Sequence, residues 1–207
     1  MEETREPLLV ELANMLANSW RDPGNLVNID SRFFPLNRVE AYFVQDCMNE
    51  VLEQGIVGWK VGATSARMRE LDGHEDVIPG RIFKSRSYFG AHHNLPIKYF
   101  PGARAEAEFA FQLTAKPHLR HTPWTASEME TMMVLHPAIE IIGNRFKLED
   151  AKKAETSLMT IADNGGGIGF IFGDPVEDWQ GIDYRQHLVE LTAVSYTHLR
   201  AHETDRY

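Results

Sequence analysis

One cysteine, Cys47, stands in a chain of 207 residues. An internal disulfide is therefore excluded. Cys47 falls inside a helical pattern and reads as a small core residue rather than a nucleophile. No apolar run approaches the ~20 residues that a membrane-spanning helix needs. The first residues, Met1 to Glu6, carry neither a basic stretch nor a long apolar one, so no signal peptide is read there and a cytoplasmic location is expected. Basic residues are scarce as well. Twenty-one Lys and Arg face thirty Asp and Glu, and the net charge of −9 leaves no electrostatic footprint for a nucleic acid. The expected partners therefore include neither nucleic acid nor membrane. Internal repeats and low-complexity tracts are absent too. The run Asn164 to Gly169 fails as a dinucleotide fingerprint, because Phe170 stands where the last glycine is required. His92, His93, His118 and His121 lack the spacing of zinc ligands.

What remains is a chain that is 43% hydrophobic and 25% charged, enough for one buried core. Leu8, Leu9, Leu12, Met15 and Leu16 recur at helical spacing until Arg21-Asp22-Pro23-Gly24 ends the pattern. Asn37 followed by Glu40 marks a second helix start, and Val39, Phe43, Cys47 and Val51 are expected to form its buried face. Val57 to Gly62 reads as a strand and Thr64 to Glu70 as a short helix. Thr125 with Glu128 predicts a capping box leading a helix toward Leu135, with Pro137 breaking it. Leu148 to Ile161 reads as helix, and 165–172 and 184–192 as strands. Helices first and strands later predict an α+β fold. The expected division is a helical region over 1–55, a β-rich core over 56–193 and a separate tail over 194–207.

The chemistry-bearing stretch is Arg104-Ala105-Glu106-Ala107-Glu108-Phe109-Ala110-Phe111-Gln112-Leu113. Side chains alternate along a strand, so Glu106 and Glu108 share a face while Phe109, Phe111 and Leu113 are expected to point into the core. Glu140 sits alone in a second apolar run. Burying ionised carboxylates is costly unless a cation compensates. Three oxygen donors of this kind suit a hard divalent cation, Mg²⁺ or Mn²⁺.

Five segments in order carry a resemblance: Gly58-Trp59-Lys60-Val61-Gly62, Pro79-Gly80-Arg81-Ile82-Phe83, Glu106-Ala107-Glu108, Pro137-Ala138-Ile139-Glu140 and Ala162-Asp163-Asn164. Together they resemble the 2-keto-4-pentenoate (2-hydroxypenta-2,4-dienoate) hydratases of the fumarylacetoacetate hydrolase superfamily. The resemblance implies an N-terminal helical segment followed by a mixed β-sheet or roll core. It implies Glu106, Glu108 and Glu140 as ligands of Mg²⁺ or Mn²⁺, Lys60 as a catalytic and substrate-binding residue, and Asn164 as a substrate contact. Glu75 or Asp76, in a loop where relatives carry acidic residues, would transfer protons. The implied substrate is a small 2-keto or 2-hydroxydienoic acid, met in aromatic catabolism, and the implied assembly is a homo-oligomer. Within the same superfamily stand 4-oxalocrotonate decarboxylation and acylpyruvate hydrolysis, and a non-catalytic partner subunit is a further alternative.

The last residues have a different look. Val194 to Thr204 resembles the translation of a transposon-end adapter used in sequencing libraries. The expectation is that authentic sequence ends at about Ala193, that a non-native tail follows, and that the core is incomplete at its C-terminus.

Overall fold

The computed structural model describes residues 4–24, 26–184, 186–193 and 196–201. In chain order the elements are α1 (Glu6–Arg21), β1 (Val27–Asn28), α2 (Arg38–Leu52), β2 (Ile56–Gly62), α3 (Ala66–Asp72), β3 (Ile78–Phe83), β4 (Ser87–Phe89), β5 (Arg104–Leu113), α4 (Ala126–Glu130), β6 (Met133–Ile142), β7 (Phe146–Lys147), α5 (Lys153–Ala162), β8 (Gly167–Phe172), β9 (Leu188–Ala193) and β10 (Tyr196–Ala201). This is a mixed helix-and-sheet protein. A four-stranded sheet has the order β4-β8-β6-β5, and β2-β3, β1-β7 and β9-β10 form two-stranded pairs. Of the predicted tail, Tyr196–Ala201 pairs antiparallel with β9, while 194–195 and 202–207 lie outside the described residues.

The chain forms two compact units. The first comprises Met1–Ser87, Asn94–Ala105 and Ile141–Phe170. Its core starts with α1, whose Leu9, Leu12, Ala13, Leu16, Ala17 and Trp20 are buried. Asn37 caps α2 by accepting from the Glu40 N–H at 3.0 Å, as its spacing requires. The buried face of α2 is not the expected one. Ala41, Val44, Gln45, Met48 and Leu52 point inward, while Val39 is 80% exposed. Both stripes recur at helical spacing, and the one that packs against α1 and α5 is buried. The last helix is shorter than expected. Residues 148–152 are irregular, and α5 begins only where Glu155 accepts from the Lys152 N–H at 2.7 Å.

Two buried polar side chains join the elements of this unit. Gln45 donates to the carbonyls of Ile161 (2.9 Å) and Pro79 (3.3 Å) and accepts from Arg81 Nη1 at 2.7 Å. It thereby ties α2 to the end of α5 and to β3. Asp163, fully buried, accepts from Trp20 Nε1 at 3.0 Å and from the Arg145 N–H at 2.6 Å. Burial pushes its carboxyl up to about 7, against the opposing pull of the Arg145 N–H, the Arg145 charge and the Trp20 indole.

The second unit comprises Tyr88–His93, Glu106–Glu140 and Ile171–Tyr207. The Thr125–Glu128 capping box forms, but α4 lasts five residues and gives way to β6. Pro137 lies inside that strand instead of breaking a helix before it. Proline has no N–H for a ladder. Here the ring of His136 supplies the missing donor: its Nδ1–H reaches the Gly173 carbonyl at 2.8 Å, and the Gly173 N–H donates to the Pro137 carbonyl at 2.8 Å. The apolar face of β5 is also less buried than expected, with Phe111 43% and Leu113 50% exposed. β5 ends the sheet order. Phe109 and Phe111 rest edge-on against Tyr184, and Phe111 also against Trp179.

The Asp163 carboxyl gives a test of the first unit. Its pKa stands above the 3.8 of the unfolded chain, so the folded state holds the proton more tightly and this contribution is fully present below about pH 4. It declines as pH rises through about 7. Relative to Asp163→Asn, the wild type is expected to lose about 1.4 kcal/mol of stability per pH unit across that window. Urea unfolding of both proteins from pH 4.5 to 7.5 checks it, and a flat difference would show a carboxylate ionised throughout.

Candidate metal centre

Glu106 and Glu108 stand two residues apart on β5, and period-two alternation puts them on one face. Glu140 stands on β6, the neighbouring strand. One carboxylate oxygen from each lies within 4.8 Å of the others. Glu140 is 4% exposed, and the two β5 carboxylates are half-buried. All three belong to the second unit.

The donor set can be tested against an ion. Oxygens around Ca²⁺ sit at about 2.4 Å and around Mg²⁺ at about 2.1 Å, so opposite ligands are separated by at most about 4.8 and 4.2 Å. The observed spread meets the first limit and needs a few tenths of an ångström for the second. Long glutamate side chains supply that easily. Three carboxylates also concentrate negative charge of a kind that a multivalent cation offsets. The residues fit a hard divalent cation.

The other predicted site residues lie in the first unit. Lys60 points from β2 to the buried side, 7% exposed, and donates from Nζ to the Gly165 carbonyl. It is therefore no surface lysine. Glycines surround it. A Cβ added at Gly80 would lie 2.9 Å from Lys60 Cε, one at Gly165 would lie 2.9 Å from Nζ, and one at Gly62 would lie 3.2 Å from Nζ. Gly165 is also in the left-handed region, at φ +64°, where glycine carries no steric penalty. Asn164 is fully buried. Its Oδ1 accepts from the Arg81 N–H at 2.7 Å, and its Nδ2 donates to the carbonyls of Arg81 (2.9 Å) and Gly167 (3.1 Å). The carboxamide thus clamps a turn to β3. Glu75 and Asp76 lie exposed between α3 and β3, where Asp76 accepts from the Val77 N–H at 2.7 Å.

No protein-family model matches the chain. Two solved structures of 4-oxalocrotonate decarboxylase from Pseudomonas putida G7, one complexed with magnesium and adipate and one with calcium and acetate, do match. Each has a TM-score of 0.70 at 22% sequence identity, covering 90% of this chain and 69% of theirs. The chain has the fold of 4-oxalocrotonate decarboxylase. At this identity the likeness is one of fold.

Sequence reading missed Arg145 and Gln45. Arg145 stands among Ile141, Ile142 and Phe146, and a lone cation inside an apolar run was the available signal. Gln45 sits on a helix where nothing but its position marks it.

Two substitutions test this arrangement. Glu108→Ala is expected to weaken Mn²⁺ binding by at least about 100-fold, since a ligand matters more than its supporting shell. Unchanged affinity in a calorimetric titration would remove Glu108 from the centre. Gly80→Ala would drive a Cβ to 2.2 Å from the Asn164 carbonyl oxygen, a backbone atom that cannot swing aside. A loss of more than about 3 kcal/mol is expected, read from the urea midpoint.

Proposed function

We propose that the protein is a divalent-metal-dependent lyase of the fumarylacetoacetate hydrolase superfamily, and that its reaction is the addition of water to 2-hydroxy-2,4-dienoates. The observation that carries this reading is the convergence of Glu106, Glu108 and Glu140 within 4.8 Å. The fold likeness to a metal-complexed decarboxylase supports it. In this reading the three carboxylates hold Mg²⁺ or Mn²⁺. When bound, that ion supplies Lewis-acid stabilisation of negative charge on a keto or enol oxygen.

The chain's own residues contribute the rest of the chemistry. Glu140, being buried, fixes one donor oxygen in an apolar setting where charge interactions are stronger. Lys60 offers a cation to an acidic substrate, and its position is set by the Gly165 carbonyl and the three glycines. Asn164 positions Arg81 and Gly167 through three hydrogen bonds, and in this reading its Oδ1 keeps a second lone pair toward the substrate. Glu75 or Asp76 moves protons to and from solvent, consistent with their exposure.

Decarboxylation of a 2-oxo-dicarboxylate is the second reading, favoured by the fold likeness to 4-oxalocrotonate decarboxylase. Both reactions pass through the same kind of charge on the same oxygen, so product analysis separates them. The chain is assayed with Mg²⁺ and 2-hydroxypenta-2,4-dienoate, following loss of the dienol absorbance. Turnover is expected, abolished by EDTA and restored by excess Mg²⁺. Release of CO₂ from 4-oxalocrotonate without dienoate hydration would replace the hydratase reading by the decarboxylase one. Mn²⁺ binding with neither activity would favour a non-catalytic partner subunit.

A further inference from the structure

Between β2 and β3 of the first unit runs a segment in which no residue from Ala63 to Val77 is buried. It is organised from within. Ser65 Oγ caps α3 by accepting from the Met68 N–H at 3.1 Å. Arg69 Nη1 donates to the carbonyls of Ala63 and Thr64, each at 3.0 Å, and the His74 N–H donates to the Arg69 carbonyl at 2.8 Å. Left-handed residues stand on both sides of α3, Ala63 at φ +55° and Gly73 at φ +74°. Hinges are built from a few such loop or element-end positions that absorb backbone rotation.

The attachments that reach this segment from α5 and α2 are polar. On α5, Ser157 Oγ lies 2.6 Å from His74 Nδ1, and Lys153 Nζ donates to the Glu70 carbonyl at 2.5 Å. On α2, Arg38 donates to the carbonyls of Val77 (2.7 Å) and Asp76 (3.4 Å). Ser157 is 5% exposed in the middle of α5, so it is a fixed socket for the imidazole rather than an accessible nucleophile. A segment with no buried residue exposes little apolar surface when it leaves its socket, and such regions open at low cost.

His74 is the member of this contact that changes charge near neutral pH. Protonation does not by itself remove the bond, because a hydroxyl accepts as well as donates. The cost is one of charge. The ring is half-buried, and Arg38 from α2 and Lys60 from β2 repel a proton there, while Asp72 of α3 attracts it. Lys153 brings a further cation from α5, and Glu75 and Asp76 beside the ring are exposed. Burial and the two cations hold the imidazole below its ordinary 6.5. The docked segment therefore binds protons less readily than a released one, so docking is strongest above pH 6.5 and weakens as pH falls below it.

We propose that residues 63–77 form a pH-sensitive flap, latched to α5 by the His74–Ser157 contact and released in acid. Glu75 and Asp76 ride on the flap, so release displaces both carboxylates together. The latch does not depend on which reaction the protein catalyses.

Amide hydrogen exchange of residues 63–77, followed by mass spectrometry from pH 8 to pH 5, tests it. Each rate is compared with that of an unstructured peptide at the same pH. Protection in the wild type is expected to fall at least about threefold from pH 6.5 downward, while that of α1 does not fall. His74→Asn keeps a hydrogen-bonding group near the Nδ1 position and cannot titrate, so its protection should be independent of pH. Ser157→Ala should lower the protection of 63–77 already at pH 8. Protection that is flat in the wild type overturns the latch. A fall retained in His74→Asn also overturns it, by moving the titration to Asp72, Glu75 or Asp76. Unchanged protection in Ser157→Ala at pH 8 overturns the contact with α5.

Discussion

Three hydrogen bonds made by one carboxamide hold the first unit in register. Asn164 satisfies both the N–H and the carbonyl of Arg81 and also the carbonyl of Gly167. This pulls the turn before β8 so close to β3 that a Cβ at Gly80 has no room. Lys60 is buried because that approach closes over it. Gln45 and Asp163 work at either side of the same junction, one on Arg81 and the other through Trp20 and Arg145. Buried polar groups are expensive unless their donors and acceptors are used, and both polar atoms of the Asn164 carboxamide are.

The second unit depends on a constraint of opposite sign. Its three glutamates gather negative charge with one member buried. Strand geometry supplies the convergence at no cost in irregular backbone: alternation aligns Glu106 with Glu108, and neighbouring strands set Glu140 beside them. The centre is thereby placed on rigid elements, which suits a site that must present oxygens at fixed separations.

Much of this was legible in the residues, for identifiable reasons. Asn37 and Thr125 announce helix starts because capping is a local matter of one side chain and the N–H groups three residues on. The Glu106–Glu108 pair was legible because strand alternation is local too. The misreadings fall where tertiary packing decides. Two apolar stripes run along α2, and only its neighbours choose between Val39-Phe43-Cys47-Val51 and Ala41-Val44-Met48-Leu52. Phe111 and Leu113 follow the pattern of a buried face on a strand that ends its sheet. Arg145 was passed over because a buried cation is an exception to composition rules, recognisable only once its surroundings are known.

Pro137 carries a consequence for how β6 is specified. In an ordinary ladder the hydrogen bonds are made by atoms common to every residue, so pairing tolerates almost any sequence. In β6 the bond to the Gly173 carbonyl is made by an imidazole. At that rung the pairing is written in side-chain identity, because the proline at 137 has no N–H to replace the imidazole. A residue at 137 with a main-chain N–H could take over the bond that the His136 ring makes.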